Sequence, residues 1–234
     1  MKRILFVCFC LLFAMAPLMA QEYNRMDDQG RRQGKWCDFF PNGQKRYEGQ
    51  FKNGKCIGEF RYYDEQGNLK ATNEFDKTGT KALNKTYAPN GRVIATGNYL
   101  NQQKDGEWRY YEPATGHLIM TEEYKEGKAD GWSRLYNPGT ERVAEEMHYV
   151  AGLREGICRQ YFDTGYLMME CVYHDDMKQG LSKSYYPNTM LKEEGEYRND
   201  QKAGQWKTYN EEGDLISVDA YGEVERMNNL PDLR

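Results

Sequence analysis

The sequence predicts an all-β protein: an elongated single-layer antiparallel β-meander built of about eight repeated β-hairpins. Three observations predict it, namely a repeat of 24 or 25 residues, two aromatic positions that recur in every repeat, and a glycine-bearing turn between them. A fixed period of this length is the signature of a repeat architecture, in which each unit packs mainly against its neighbours. Helix signals are absent from this pattern.

The repeat begins at residue 34 and continues to residue 221. The units begin at Gly34, Gly58, Ala82, Gly106, Gly131, Gly156, Gly180 and Gly204. Five residues into each unit lies the first aromatic column: Phe39, Tyr63, Tyr87, Tyr111, Tyr136, Tyr161, Tyr185 and Tyr209. A second aromatic column follows: Phe51, Phe75, Tyr99, Tyr124, Tyr149, Tyr173, Tyr197 and Tyr221. Chance does not place an aromatic residue at every one of these positions.

A turn signal separates the two columns. In the first unit it is Asn42-Gly43, and a glycine recurs in every unit except the seventh, where Asn188-Thr189 stands instead. Glycine accepts the positive φ that tight hairpin turns require, so each unit is predicted to be one hairpin. A second polar turn, as at residues 52–55, joins each hairpin to the next.

The length of the loop determines the pairing within each hairpin. If Asn42-Gly43 is a two-residue loop, Trp36 faces Gly49 and Phe51 faces Gly34. A three-residue loop would change this count, and a bulge would shift the phase of the strand.

The next turn gives a second expectation for the rings. If that turn centres on Gly54-Lys55, Phe51 also faces Gly58, and each second-column ring lies between two glycines, whose missing side chains leave room for it. The third residue of each unit, called position 3 below, falls on the same face as these rings by strand alternation. The first-column aromatics would then point to the other face.

The first twenty residues have the pattern of a cleavable secretory signal peptide. Lys2 and Arg3 precede an apolar run over residues 4–16, and small residues lead to Ala20. This run is shorter than the roughly 20 residues that a membrane-spanning helix needs. We predict cleavage after Ala20, which places the mature protein in the periplasm or outside the cell. Residues 21–33 are then an N-terminal lead-in, residues 34–221 the repeat domain, and residues 222–234 a polar tail.

Composition and motifs argue against catalysis, a metal, a cofactor and nucleic acid. The chain has 32 basic and 36 acidic side chains, and the lysines are spread among acids, without the basic patch that phosphate binding requires. The three histidines, His117, His148 and His174, lie in different units, and no zinc-ligand spacing occurs. We predict no catalytic residue, no metal ligand and no cofactor.

The cysteines of the predicted mature chain are Cys37, Cys56, Cys158 and Cys171. An even number in an exported protein favours disulfides. With Thr164-Gly165 as a two-residue loop, Cys158 faces Cys171 at a Cα separation of about 4.5 Å, within the range of a disulfide. We therefore predict a disulfide between these two, which leaves Cys37 and Cys56 as the other pair.

The pattern Gly-x-Trp-x-x-Tyr, then Asn-Gly, then Gly-x-Tyr-x-Asn-Gly resembles the MORN repeat. The resemblance is closest to the variant found in exported bacterial proteins and in the YwqK-like antitoxin family, and residues 106–111 and 195–199 carry it best. It implies a curved, elongated single-layer sheet used for protein association, and in some bacterial members an antitoxin role. Unit three departs most, with Ala82 and Asn84 where glycine and tryptophan are expected.

We expect an exported, non-enzymatic repeat scaffold that mediates protein–protein interaction in the cell envelope. The predicted binding residues are the large side chains of position 3: Trp36, Phe60, Trp108 and Trp206. Aromatic residues on a rigid surface are frequent in binding hot spots. The alternatives are a carbohydrate-binding protein and an antitoxin-like or immunity protein. The expected partner is an unidentified protein, with a glycan as the alternative, and contact with a membrane surface is not indicated.

Position 3 is not always large. Ser133, Cys158 and Ser182 occupy it in units five to seven. Their presence suggests that the sheet tolerates small side chains there and that the rings are kept for contact. On this interpretation, Trp108→Ala loses its partner while the melting temperature stays nearly unchanged.

Overall fold

The computed structural model describes residues 23–222. The predicted signal peptide, its cleavage site and all but the first residue of the predicted tail lie outside these residues. Within them, the chain forms one open antiparallel sheet of 18 strands and no helix. Apart from one interrupted strand position, each strand pairs with its neighbours in sequence, which confirms the predicted all-β hairpin meander.

The strands are Arg25–Met26 (β1), Arg32–Phe39 (β2), Lys45–Lys52 (β3), Lys55–Tyr63 (β4), Leu69–Phe75 (β5), Lys81–Tyr87 (β6), Val93–Leu100 (β7), Gln103–Tyr111 (β8), Leu118–Lys125 (β9), Lys128–Tyr136 (β10), Val143–Val150 (β11), Leu153–Tyr161 (β12), Leu167–His174 (β13), Met177–Lys178 (β14), Gly180–Tyr185 (β15), Leu191–Arg198 (β16), Gln201–Tyr209 (β17) and Leu215–Tyr221 (β18). Both β14 and β15 pair with β13, so they are two parts of one strand position.

The loop inside six of the eight hairpins has three residues, whereas in units four and five it has four, and a bulge follows in every hairpin. In the first unit the Phe40 amide donates to the Gln44 carbonyl (2.8 Å), which leaves residues 41–43 as the loop. The bulge adds one further residue on the returning strand and recurs in all eight hairpins. Because the extra loop residue and the bulge compensate, Trp36 still faces Gly49 as predicted.

The turn between hairpins corrects one predicted pairing. Asn53 and Gly54 both have positive φ, so the two-residue turn centres on them, one residue earlier than predicted. Phe51 consequently pairs with Cys56 and not with Gly58. The prediction that a second-column ring lies between two glycines is therefore wrong for Phe51. This residue faces Gly34 on β2, as expected, but it does not face Gly58 on β4.

Three glycines are required for space and not for backbone conformation. Twenty of the chain's 23 glycines have positive φ. The three others lie beneath rings of position 3, Gly49 under Phe60, Gly97 under Trp108 and Gly195 under Trp206. A β-carbon at any of these glycines would overlap the ring above it. Phe60, Trp108 and Trp206 thus each lie over a space left by a glycine in the preceding strand.

Two of the three small residues at position 3 are accompanied by larger residues on the adjoining strands, whereas Ser182 of unit seven faces Gly195. Cys158 faces Met147, which takes the place of the glycine. Ser133 faces the same Met147 on one side and Glu122 on the other. The small residues of units five and six therefore reflect compensated packing. They do not indicate that a large ring elsewhere could be truncated without loss.

Strand alternation gives the sheet two unlike faces. The ring face carries position 3 and the second column, and it contains two buried clusters: Trp36, Phe51 and Phe60, and Met147, Cys158, Cys171 and Tyr173. The opposite, ionic face carries the fourth residue of each unit and the first-column aromatics. There the Tyr63 hydroxyl donates to Glu48 (2.7 Å), and Glu48 faces Arg61.

One continuous row of cross-strand pairs crosses the ionic face. It consists of Cys37, Glu48, Arg61, Thr72, Lys85, Thr96, Arg109, Thr121, Arg134, Glu146, Arg159, Glu170, Lys183, Glu194, Lys207 and Val218. Between its two ends, basic residues alternate with threonine or glutamate, so like charges do not face each other.

We expect Glu48 to make stability depend on pH. Hydrogen bonds from Lys45 and then Tyr63 lower the pKa of Glu48 below its ordinary value. A carboxyl group whose pKa is depressed on folding adds stability above its unfolded pKa and loses it as pH falls through the folded pKa. Urea unfolding of Glu48→Gln should therefore show a loss at pH 7 that disappears in acid. Glu65→Gln, in an exposed turn, is the control, and a loss that is independent of pH would contradict the expectation.

Candidate binding site

The four predicted binding residues lie on the ring face, one to a unit; the structure brings Trp36 and Phe60 into one buried cluster, whereas Trp108 and Trp206 lie in units four and eight. The exposed fraction is 8% for Trp36 and 2% for Phe60, Trp108 and Trp206. The indole N–H of Trp108 donates to the Asn98 carbonyl (3.0 Å). These residues are therefore packed into the sheet, with little ring surface left for a ligand. Their role in binding remains a prediction.

Basic side chains cover the rings of most units. Lys104 Nζ lies 4.5 Å from the ring centroids of both Trp108 and Tyr124. Lys202 Nζ lies 3.9 Å from that of Trp206. Each lysine stands two residues before the start of its unit, a place called the cation position below. Arg32, Arg154 and Lys178 occupy it in other units, each over an aromatic ring. Such cation–π contacts stabilise both groups.

Three units lack this cation. The cation position holds Cys56 in unit two, Thr80 in unit three and Ala129 in unit five. The second-column rings of units two and three, Phe75 and Tyr99, are therefore not covered by a cation from their own unit. Both rings line the same groove.

This groove, called the unit-three groove, opens on the ring face and has a volume of about 520 Å³. Tyr62, Phe75 and Tyr99 contribute aromatic walls, and Cys56 and Thr80 lie along it. Its volume falls within the range of about 300–1,000 Å³ that is usual for ligand sites.

The groove arises where unit three departs from the repeat. Asn84 replaces the ring of position 3, and Asn73 faces it in place of a glycine. The strands β5 and β6 pair without the register shift found at the other junctions between hairpins, and residues 76–80 form a longer turn than usual. The signal was present in the sequence as Ala82 and Asn84, but the uncovered rings beside them were not predicted.

The interior of the groove is uncharged at neutral pH. Asn84 is 5% exposed, donates to Asn73 Oδ1 (2.7 Å) and accepts a hydrogen bond from the Thr86 hydroxyl (3.0 Å). Burial raises the pKa of the Tyr62 hydroxyl and that of the Cys56 thiol, so both groups stay protonated. A ligand in the groove would thus meet the aromatic rings of Tyr62, Phe75 and Tyr99, and none of the described residues that line the groove carries a carboxylate.

The predicted disulfide partners face each other within unit six. Cys158 and Cys171 form a cross-strand pair, and both are buried free thiols in this structure. The hydrogen bond to Cys171, together with burial, raises the pKa of Cys158. Cys56 lies with Trp36 and Phe51 on the ring face, whereas Cys37 faces Glu48 on the ionic face. The structure does not bring Cys37 and Cys56 together.

We expect oxidation to join Cys158 and Cys171. A bond between them would raise the free energy of unfolding by about 2–4 kcal/mol by restricting the unfolded chain. Peptide mapping of oxidised protein should find the 158–171 cross-link and none between residues 37 and 56. Full alkylation of all four cysteines after oxidation and denaturation would contradict this expectation.

Two further observations do not assign a function to the protein. Within residues 23–222, the ligand atoms of Glu155, His174 and Asp175 lie within 4.8 Å of one another. The hydrogen bond between the first two (2.9 Å) raises the pKa of His174 and lowers that of Glu155. The trio is largely exposed, and such a cluster alone does not define a metal site. No helix in the described part of the chain is long and apolar enough to cross a membrane.

The repeat matches a known family model in three places. Residues 32–53, 57–77 and 178–199 match the MORN repeat variant, close to the predicted units one, two and seven. These matches support a MORN-repeat protein, as predicted, but they do not confirm the resemblance to the YwqK-like antitoxin family. MORN repeats are commonly protein-interaction or binding modules, and the family is generally non-enzymatic.

The other comparisons add little. No curated protein matches this sequence. One similar solved structure is a mutant of the Photorhabdus luminescens Tc holotoxin pore, with 14% identity, coverage of 74% of this chain and a TM-score of 0.19. This chain spans 11% of that one, and a TM-score this low carries no argument.

Proposed function

We propose that this protein is an exported, non-enzymatic scaffold of the cell envelope that binds a partner protein at the unit-three groove. One observation carries the binding site: the repeat is interrupted at the place where aromatic walls lack the cation that covers them in most units. Export rests on the sequence pattern of residues 1–20.

The groove suits side chains of a protein partner. Tyr62 and Tyr99 are held by the strands β4 and β7, so they lose little conformational entropy on binding. Aromatic residues in a concave, rigid setting are typical of the few positions that dominate the energy of an interface. The predicted residues Trp108 and Trp206 would then support the sheet that presents the groove.

Tyr62→Ala tests the proposal, with Tyr110→Ala as its matched control. Both tyrosines take the same place in their units, but Lys104 lies 5.2 Å from the ring centroid of Tyr110. We expect affinity capture from the native envelope to recover a protein with the wild type and with Tyr110→Ala. Tyr62→Ala should deplete that protein at least about tenfold, as loss of an interface anchor does.

Tyr110→Ala should melt no higher than Tyr62→Ala, because it also loses the hydrogen bond that Lys104 donates to the Tyr110 hydroxyl (2.7 Å). A loss of partner confined to Tyr62→Ala would then not be due to lower stability. Recovery of the same proteins by all three forms would contradict binding at the groove.

A glycan is the second candidate ligand. The groove combines the tyrosine rings with the side chain of Gln102, and a sugar ring uses aromatic faces together with amide hydrogen bonds. A glycan array probed with the wild type, Tyr62→Ala and Tyr110→Ala would separate this candidate from a protein partner. The antitoxin-like alternative has no specific observation in its favour.

A further inference from the structure

We infer that the unit-three groove binds a cation, the guanidinium of an arginine side chain on the partner, in the place that the chain's own basic residues fill in other units. This inference rests on the proposed function, because it names the chemistry of the ligand at the same groove. Unit four of the same chain, where Lys104 lies over the rings of Trp108 and Tyr124, shows the arrangement with a cation in place.

Strand register makes Cys56 the counterpart of two lysines. Lys104 pairs with the second-column residue Tyr99 of the preceding strand, and Lys202 pairs with Tyr197. Cys56 pairs with Phe51 in the same way. A thiol therefore stands where a lysine side chain reaches over the rings in units four and eight, and the shorter side chain leaves space there.

The rings beside Cys56 repeat the arrangement around Lys104. In unit four, the ring planes of Trp108 and Tyr110 are 31° apart, with their centroids 6.4 Å apart. In unit two, the planes of Phe60 and Tyr62 are 28° apart at the same 6.4 Å.

The third ring has a similar tilt in both units, but its centroid lies 5.2 Å from that of Phe60 in unit two and 6.5 Å from that of Trp108 in unit four. Tyr124 meets Trp108 edge-on at 73°, and Phe75 meets Phe60 edge-on at 77°. The three rings that surround an ammonium in unit four thus have counterparts in unit two, of which Tyr62 and Phe75 line the groove and Phe60 is packed beneath them, 2% exposed.

The absence of a carboxylate favours a guanidinium over a lysine ammonium. In unit four burial lowers the pKa of Lys104, and the nearby charge of Glu122 opposes this shift in part. The corresponding residue at the groove is Asn73, which is neutral. Rings alone must then hold the cation, and guanidinium is more weakly hydrated than ammonium and stacks on aromatic faces. Lys55 also lines the groove, but it is exposed at the rim, with its Cβ near Gly79.

The test titrates the purified protein with Nα-acetyl-arginine amide and with Nα-acetyl-citrulline amide, its neutral isostere. Nuclear magnetic resonance follows the ring-current shifts of the probe's methylene protons. We expect the arginine probe to bind at least about fivefold more tightly than the citrulline probe, within the range of a partly desolvated cation–π contact. Nα-acetyl-lysine amide should bind between the two.

Cys56→Lys places an internal competitor in the groove. It should abolish binding of the arginine probe, because its ammonium would lie against the groove walls Tyr62 and Phe75, as Lys104 lies against Tyr110 and Tyr124 in unit four. Ala129→Lys is the matched control, with the same added charge at the cation position of unit five, and it should bind like the wild type. Phe75→Leu keeps an apolar side chain but removes the π face, and should weaken binding at least about threefold.

Equal affinity for the arginine and citrulline probes, binding of neither, or full binding by a folded Cys56→Lys variant would overturn the inference. The proposed function fails on a different result. If Tyr62→Ala loses the captured partner while the arginine and citrulline probes bind equally, the groove remains a protein-binding site and only the cation is excluded.

Discussion

Replacing Trp108 by alanine is expected to lower the free energy of unfolding by about 3–5 kcal/mol, as large-to-small changes of buried aromatic residues do. The ring is 2% exposed, packs edge-on against Tyr99 and donates its indole N–H to Asn98. Urea denaturation followed by circular dichroism measures the loss. Phe39→Ala is the control, since Phe39 is 53% exposed and its truncation should cost less than about 1 kcal/mol.

A loss below about 1 kcal/mol for Trp108→Ala would contradict the packing described for the ring face. The same variant also bears on the residues first predicted to bind. If the protein stays folded and loses its captured partner while Tyr110→Ala does not, Trp108 contributes to recognition beyond its packing. The pattern of small residues at position 3 suggested an unchanged melting temperature, whereas the burial of the ring leads us to expect a large fall.

Gly97→Met is expected to lower the free energy of unfolding by about 3 kcal/mol, at the upper end of the usual effect of overpacking. The new side chain would overlap the Trp108 ring, which lies directly over the glycine. Combining it with Trp108→Cys copies the arrangement of unit six, where Met147 faces Cys158. We therefore expect the double variant to be more stable than the sum of the two single changes implies.

Denaturation of the two single variants and the double variant gives a coupling free energy, which should amount to about 1–3 kcal/mol in favour of the pair. Additive losses would contradict the interpretation that residue size at position 3 is matched to the facing strand. This result is independent of any ligand, because none of these residues lines the unit-three groove.

The hairpin register could be predicted from the sequence although the loop was not. Trp36 faces Gly49 because ring and glycine recur at matched distances from the turn, and the bulge restores the count that the three-residue loop changes. The turn between hairpins was placed one residue too late because Asn53 accepts positive φ, a property that the sequence assigns more readily to glycine. The position of this turn therefore depends on the backbone conformation of Asn53.

The groove could not be predicted from the same pattern. Besides the departures of unit three, it depends on the absence of a cation at residue 56, and a cation there matters only because it reaches a ring on an adjacent strand. In unit four, Lys104 and Tyr124 are twenty residues apart in sequence yet in contact. A list of repeat positions shows that Cys56 differs from Lys104, but only the bulged strand geometry shows that both face the rings.

The meander has a mechanical consequence. Each strand is held mainly by the strands next to it in sequence, so tension between the two ends of the sheet would open terminal hairpins before central ones. A released unit of 24 residues would extend to about 80 Å, against about 10 Å for the two strands that it occupied in the sheet. Under load the molecule would lengthen in discrete steps, as an extensible tether that keeps its remaining units folded.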